Sequence, residues 1–197
     1  MLLDQLIDGT ADAIWRLPDG SFEPLQPTPG GQCLLPGSFN PLHSGHQELR
    51  AVSERMTGLQ TSFELSIRNV DKPALNRDAV LSRVQQLSHP VLLTTAPTFV
   101  GKANIIRQIT FVVGVDTAKR IVDPVYYGDS PAKMRESLHS IRRADCRFLV
   151  AGRVSGSDFQ TLSDVGIPIE LSDLFETIPE DQFRSDISSS QLRRDAH

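Results

Sequence analysis

Cysteine, tryptophan and tyrosine are scarce: the 197 residues hold two, one and two of them, and aromatic residues amount to 6%. Cys33 and Cys146 each fall within a short apolar run of β type, which suits small buried thiols better than a disulfide framework. An excess of positive charge is also missing. Twenty Lys and Arg against 24 Asp and Glu give a net charge of -4, and the basic residues are scattered, so there is no global footprint for nucleic acid. An anionic ligand would have to be met locally. No window approaches the ~18 apolar residues of a membrane span, and no basic segment leads an apolar stretch at the amino terminus. These absences point to a cytoplasmic protein that needs neither nucleic acid nor a membrane as partner.

What is present is a regular alternation. From Gln32 onward, short apolar runs of β type (CLLP, TSFELSIRN, PVLLTTAP, ITFVVGVD, CRFLVAGR) alternate with helical patterns such as HQELRAVSERMTG and PAKMRESLHSIRRA. Near-continuous apolar strands bounded by helices are what a parallel sheet covered on both faces requires. The expectation is an α/β fold, a doubly wound Rossmann-like parallel sheet of five or six strands spanning residues 32–197. Residues 1–31 read as a helical lead-in, LLDQLIDGTADAIW, followed by a loop rich in proline and glycine. In a doubly wound sheet, ligands bind beyond the carboxyl ends of the strands, at the point where the strand order reverses.

The stretch LLPGSFNPLHSGHQEL, residues 34–49, lies at one such strand end. Gly37 permits a sharp turn directly after the strand, and Pro41 fixes a backbone angle in the loop, so backbone N–H groups are brought toward a ligand, a phosphate cradle in outline. His43 and His46, three apart at a helix start, place two imidazoles on one face beside unpaired amides and the positive end of the helix dipole. Gly45 between them leaves close approach open. Such a helix start suits a polyphosphate.

This stretch resembles the GxFxPxHxGH signature of the nucleotidylyltransferase superfamily and matches it at Gly37, Phe39, Pro41, His43, Gly45 and His46. A second stretch, ISSSQLR at residues 187–193, is similar to the superfamily's ISSTxIR element, with Ser190 in place of threonine and Leu192 in place of isoleucine. The third, GVDT at residues 114–117, looks like the G-x-D element that binds the adenylate ribose in nicotinamide mononucleotide adenylyltransferases. The resemblance implies in-line transfer of AMP from ATP to a phosphorylated acceptor with release of pyrophosphate, assisted by Mg²⁺. It makes His43, His46 and Arg193 catalytic. It gives nucleotide binding to Gly37, Ser38, Phe39, Asn40, Gly45, Gly114, Asp116, Ser189 and Ser190. No residue is assigned as a protein ligand to a metal.

Among members of the superfamily, the nicotinamide or nicotinate mononucleotide adenylyltransferases fit these motifs best, and a pyridine mononucleotide is the expected acceptor. Those enzymes generally stack the pyridine ring on an aromatic side chain. The single tryptophan, Trp15, falls ahead of the core domain, which leaves Phe99, Tyr126 and Tyr127 as substitutes. Lys72, Lys102 and Arg153 follow strand ends, where they could contact phosphates, and read first as solvated surface charges. The alternatives are pantetheine phosphate adenylyl transfer, cytidylyl transfer, and a non-catalytic nucleotide-binding regulator; the intact histidines argue against the last. A class I aminoacyl-tRNA synthetase fragment is disfavoured because AKMRES at residues 132–137 lacks the second lysine of a KMSKS element. A homo-oligomer is left open.

Overall fold

The computed structural model describes residues 1–26, 31–70, 73–155 and 158–184. In chain order the elements begin with α1 (Leu2–Asp8), β1 (Ala13–Arg16), β2 (Phe22–Pro24), β3 (Gln32–Pro36), α2 (Ser44–Thr57), β4 (Thr61–Ser66) and α3 (Arg77–Val84). They continue with β5 (Val91–Thr94), α4 (Phe99–Ile105), β6 (Ile109–Gly114), α5 (Val115–Ile121), α6 (Pro131–Arg143), β7 (Arg147–Ala151), β8 (Arg153–Ser155), β9 (Asp158–Gln160) and β10 (Phe175–Ile178).

The fold is α/β, with a mixed central sheet in the order β10-β7-β6-β3-β4-β5-β1-β2. Every pairing from β10 across to β5 is parallel. The chain starts at β3 in the middle, steps outward through β4 to β5, then crosses back to β6 and leaves through β7 to β10. The order therefore reverses between β3 and β6, an arrangement compatible with a Rossmann-like, doubly wound sheet.

The sheet has eight strands among the described residues instead of the expected five or six. The difference lies in the first 31 residues, where the sequence suggests only a helix and a loop. Ala13–Arg16 pairs antiparallel with β5, and Phe22–Pro24 adds the edge. Between them, Leu17 and Gly20 close a turn in which Asp19 accepts from both the N–H and the hydroxyl of Ser21. The signal was a PDG turn between two short runs, a hairpin pattern obscured by the surrounding prolines.

Strand alternation fills both faces. Leu34, Leu92, Phe111, Val113, Phe148 and Val150 enter one apolar cluster with residues of α4, α5 and α6. Leu35, Phe63, Leu65, Leu93, Val112 and Leu149 enter the other, with residues of α1, α2 and α3. Each such side chain, fully buried, contributes roughly 1.5–3 kcal/mol. Local chemistry sets the helix starts: the Asn76 side chain accepts from the Ala79 N–H ahead of α3, and Ser130 caps α6 with Pro131 in its first turn. Cys33 and Cys146 are buried free thiols.

One charged pair interrupts the apolar interior. Lys102 on α4 lies 2.6 Å from Glu64 on β4, and both side chains are almost fully buried. The Thr94 hydroxyl donates to the other carboxylate oxygen at 2.6 Å, and the Lys102 ammonium rests over the Phe99 ring. Lys102 is therefore an interior cation, contrary to its reading as a surface charge. Helical position alone did not reveal that its face turns to the sheet.

Removing one partner strands a charge in an apolar setting, so Lys102→Met should lower the unfolding free energy by about 3–5 kcal/mol. The double substitution Glu64→Leu/Lys102→Met should recover most of that loss. Urea unfolding of the three proteins checks both, and equal stability of wild type and Lys102→Met would refute the assignment.

Candidate nucleotide site

The turn after β3 is built around one ring. Phe39 is fully buried and adopts a φ of +45°, and its ring folds back over Gly37 so closely that a Cβ there would sit 2.6 Å from Phe39 Cε1. No larger residue fits at position 37 without moving the ring. Phe39 then meets Phe63 and His46 edge to face, with centroids 5.1 and 5.2 Å apart. The Asn40–Pro41 peptide that follows is cis.

The loop is laced from outside by two side chains that the sequence did not single out. Gln86 donates to the Phe39 carbonyl at 3.2 Å and accepts from the Leu42 N–H at 3.0 Å, so one amide pairs with both backbone polarities. Arg83 donates to the Ser38 carbonyl at 3.1 Å. Both come from α3 and its C-terminal turn, more than 40 residues downstream, and no local pattern announces a contact of that range.

His43 is the N-cap of α2, with Ser44, Gly45 and His46 in its first turn. Its backbone N–H donates to His46 Nδ1 at 3.3 Å, and the two rings lie against each other with centroids 3.7 Å apart. Because Nδ1 of His46 is an acceptor, the proton of the neutral ring sits on Nε2. Burial, reinforced by the neighbouring His43, pushes the His46 pKa down to about 4, and burial lowers that of His43 as well. At neutral pH the pair is thus uncharged. His43 Nδ1 is buried with no hydrogen-bond partner among the described residues.

The phosphate cradle expected from the loop's amides is narrower than the sequence suggests. The Gly37 N–H donates to the Glu64 carbonyl, and the Leu42, His43 and His46 amides are taken up within the turn. The N–H groups of Ser44 and Gly45, in the first turn of α2, are those a helix start leaves without an intrahelical acceptor. Gly45 is buried, whereas Ser38 and Asn40 are exposed.

Gly114 is the N-cap of α5, which places Asp116 in that helix's first turn. The strand it ends, β6, lies directly beside β3, so the turns carrying the histidines and Asp116 leave the same sheet edge from adjacent strands where the order reverses. Arg153, two residues past β7, holds the Asp116 carboxylate at 2.5 Å. Of the aromatic candidates, Phe99 packs edge to face on Phe111 and Phe148, the Tyr127 hydroxyl donates to the Ile121 carbonyl, and Tyr126 is exposed. Lys72, Ser189, Ser190 and Arg193 lie outside the described residues. Phe183, four residues before the ISSSQLR stretch, is buried in the apolar cluster that contains Phe39 and Leu35.

A cavity of about 500 Å³ opens at the opposite edge of the sheet, lined by Gln108, Thr110, Arg142 and Arg147 near the strand starts. It shares no residue with the histidine turn. No protein-family model and no curated protein matches the sequence.

The depressed His46 pKa has a definite consequence for stability. Between its ordinary value of 6.5 and about 4, the unfolded chain binds a proton that the folded chain refuses, so this contribution is complete above pH 6.5 and is lost as the pH falls. His43 and His89 shift in the same direction. The comparison is therefore wild type against His46→Gln. Urea unfolding from pH 7.5 to 4.5 should show a stability difference that shrinks with acidity, and a constant difference would contradict the burial argument.

Proposed function

We propose that the chain is a nucleotidylyltransferase that transfers AMP from ATP to nicotinamide or nicotinate mononucleotide. A phosphate oxygen of the acceptor attacks the α-phosphorus in line, the bond from that phosphorus to the β-bridging oxygen breaks, and pyrophosphate leaves. The observation that carries the reading is the closely packed, uncharged imidazole pair at the start of α2, where the strand order reverses. Asp116 at the adjacent strand end supports it, as the acceptor for ribose hydroxyls.

In this reading the protein contributes position and charge stabilisation, with no covalent nucleophile. His46, neutral and protonated on Nε2, donates to the α-phosphate region as negative charge builds there. His43 lies against it and donates alongside. The sequence resemblance gives the leaving pyrophosphate to Ser189, Ser190 and Arg193. Among the described residues no three His, Cys, Asp or Glu converge on a point. Mg²⁺ enters as the counter-ion of the triphosphate, held mainly by phosphate oxygens and water, and no step is routed through it.

Pyrophosphate release measured with each nucleoside triphosphate and a panel of phosphorylated acceptors should be fastest with ATP and a pyridine mononucleotide. Under those conditions His46→Ala should lower kcat by about 10²- to 10³-fold, the effect of losing one preorganised donor, while ATP binds with nearly unchanged affinity. Turnover of the variant at the wild-type rate would remove His46 from the chemistry. Silence across the whole panel, with ATP still bound, would leave a binding protein.

A further inference from the structure

The short hairpin of β8 and β9 leaves the carboxyl edge of the sheet directly after β7, which borders β6. Its start is held tightly. A Cβ on Gly152 would meet the Phe159 ring at 2.5 Å and the Gln160 carbonyl at 2.8 Å, so only glycine allows the two halves of the hairpin to close here. On the other side, Lys119 of α5 donates to the Gln160 side chain at 2.8 Å. The hairpin is thereby tied to the helix whose first turn carries Asp116. Arg153 is set beside that carboxylate with about half of each side chain in solvent.

We propose that Arg153 is a phosphate-binding residue of the nucleotide site, held on Asp116 until a ribose takes over that carboxylate. The inference rests on the nucleotidylyltransferase reading. A triphosphate brings negative charge that the histidine pair, being neutral, does not balance. Lys102 is buried on Glu64, and Lys119 is engaged with Gln160. Arg153 instead presents its guanidinium at the rim, next to the strand end where the order reverses. A half-exposed ion pair opens at little cost. An arginine fork on phosphate oxygens is bidentate and charge-assisted, and therefore stronger. Ribose hydroxyls on Asp116 and phosphate oxygens on Arg153 would each replace the partner that the pair gives up.

The test is calorimetric titration of wild type, Arg153→Met, Asp116→Asn and the double variant with ATP, adenosine and inorganic tripolyphosphate, each in the presence of Mg²⁺. Arg153→Met should weaken ATP and tripolyphosphate about 10- to 100-fold, the loss of one charge-assisted contact, and leave adenosine bound at least as tightly, because its ribose meets an Asp116 already released. Asp116→Asn frees the guanidinium, so tripolyphosphate should bind up to about tenfold more tightly, and the double variant should lose that gain. Unchanged ATP affinity in Arg153→Met, with a normal melting curve, overturns the proposal and leaves the enzyme reading standing. A gain that survives in the double variant also overturns it, because the gain would then come from removing the aspartate charge. Wild-type protein that binds none of the three ligands overturns the nucleotidylyltransferase reading, and this inference with it.

Discussion

The turn after β3 takes its shape because the Phe39 ring occupies the space a side chain on residue 37 would need. From that contact the rest of the site follows. The ring is pinned between Gly37, Phe63 and His46, which buries one side of the imidazole and depresses its pKa. A turn without the inserted ring would leave His46 wetter and more easily charged. Core packing and the protonation state of the site are therefore one constraint.

Charge is distributed with comparable economy. Of the cations singled out in the sequence after strand ends, Lys102 is consumed in the interior by Glu64, and Arg153 waits at the rim on Asp116; Lys72 lies outside the described residues. The Glu64 carbonyl accepts the Gly37 N–H, so the residue that anchors the buried pair also anchors the start of the histidine turn. A net charge of -4 does not forbid an anionic ligand when the helix start and one guanidinium sit at the same sheet edge.

Much of the architecture was legible because strands buried on both faces tend to read as apolar runs, and β3, β5, β6 and β7 largely do, whereas β4 (TSFELS) carries buried polar residues. The turn at Gly37 was legible for a local reason, since a glycine directly after an apolar run permits a sharp turn and Pro41 fixes a backbone angle in the loop that follows. The hairpin of β1 and β2 was obscured because its strands span only four and three residues, too short for a period to register. Gln86 and Arg83 were invisible because their partners are other segments' backbone carbonyls and amides, which carry no residue-type signature. Lys102 misled for a related reason: a lysine's burial depends on which helix face meets the sheet, and α4 has seven residues in which to declare it. Asp116 was placed at the end of β6, but its arginine partner follows the next strand, β7, one crossover and 37 residues away in sequence.

The central claim is that His46 stands neutral, protonated on Nε2, beside a His43 whose pKa burial also lowers. Nitrogen-15 NMR of the imidazole rings, assigned with His43→Gln and His46→Gln variants and followed from pH 8 to 5, measures this directly. The account predicts that His46 shows the Nε2–H tautomer throughout that range, with no titration step near 6.5, and that its Nε2 resonance moves when ATP is added. A His46 ring that is protonated on both nitrogens at pH 6, or that carries its single proton on Nδ1, would contradict it.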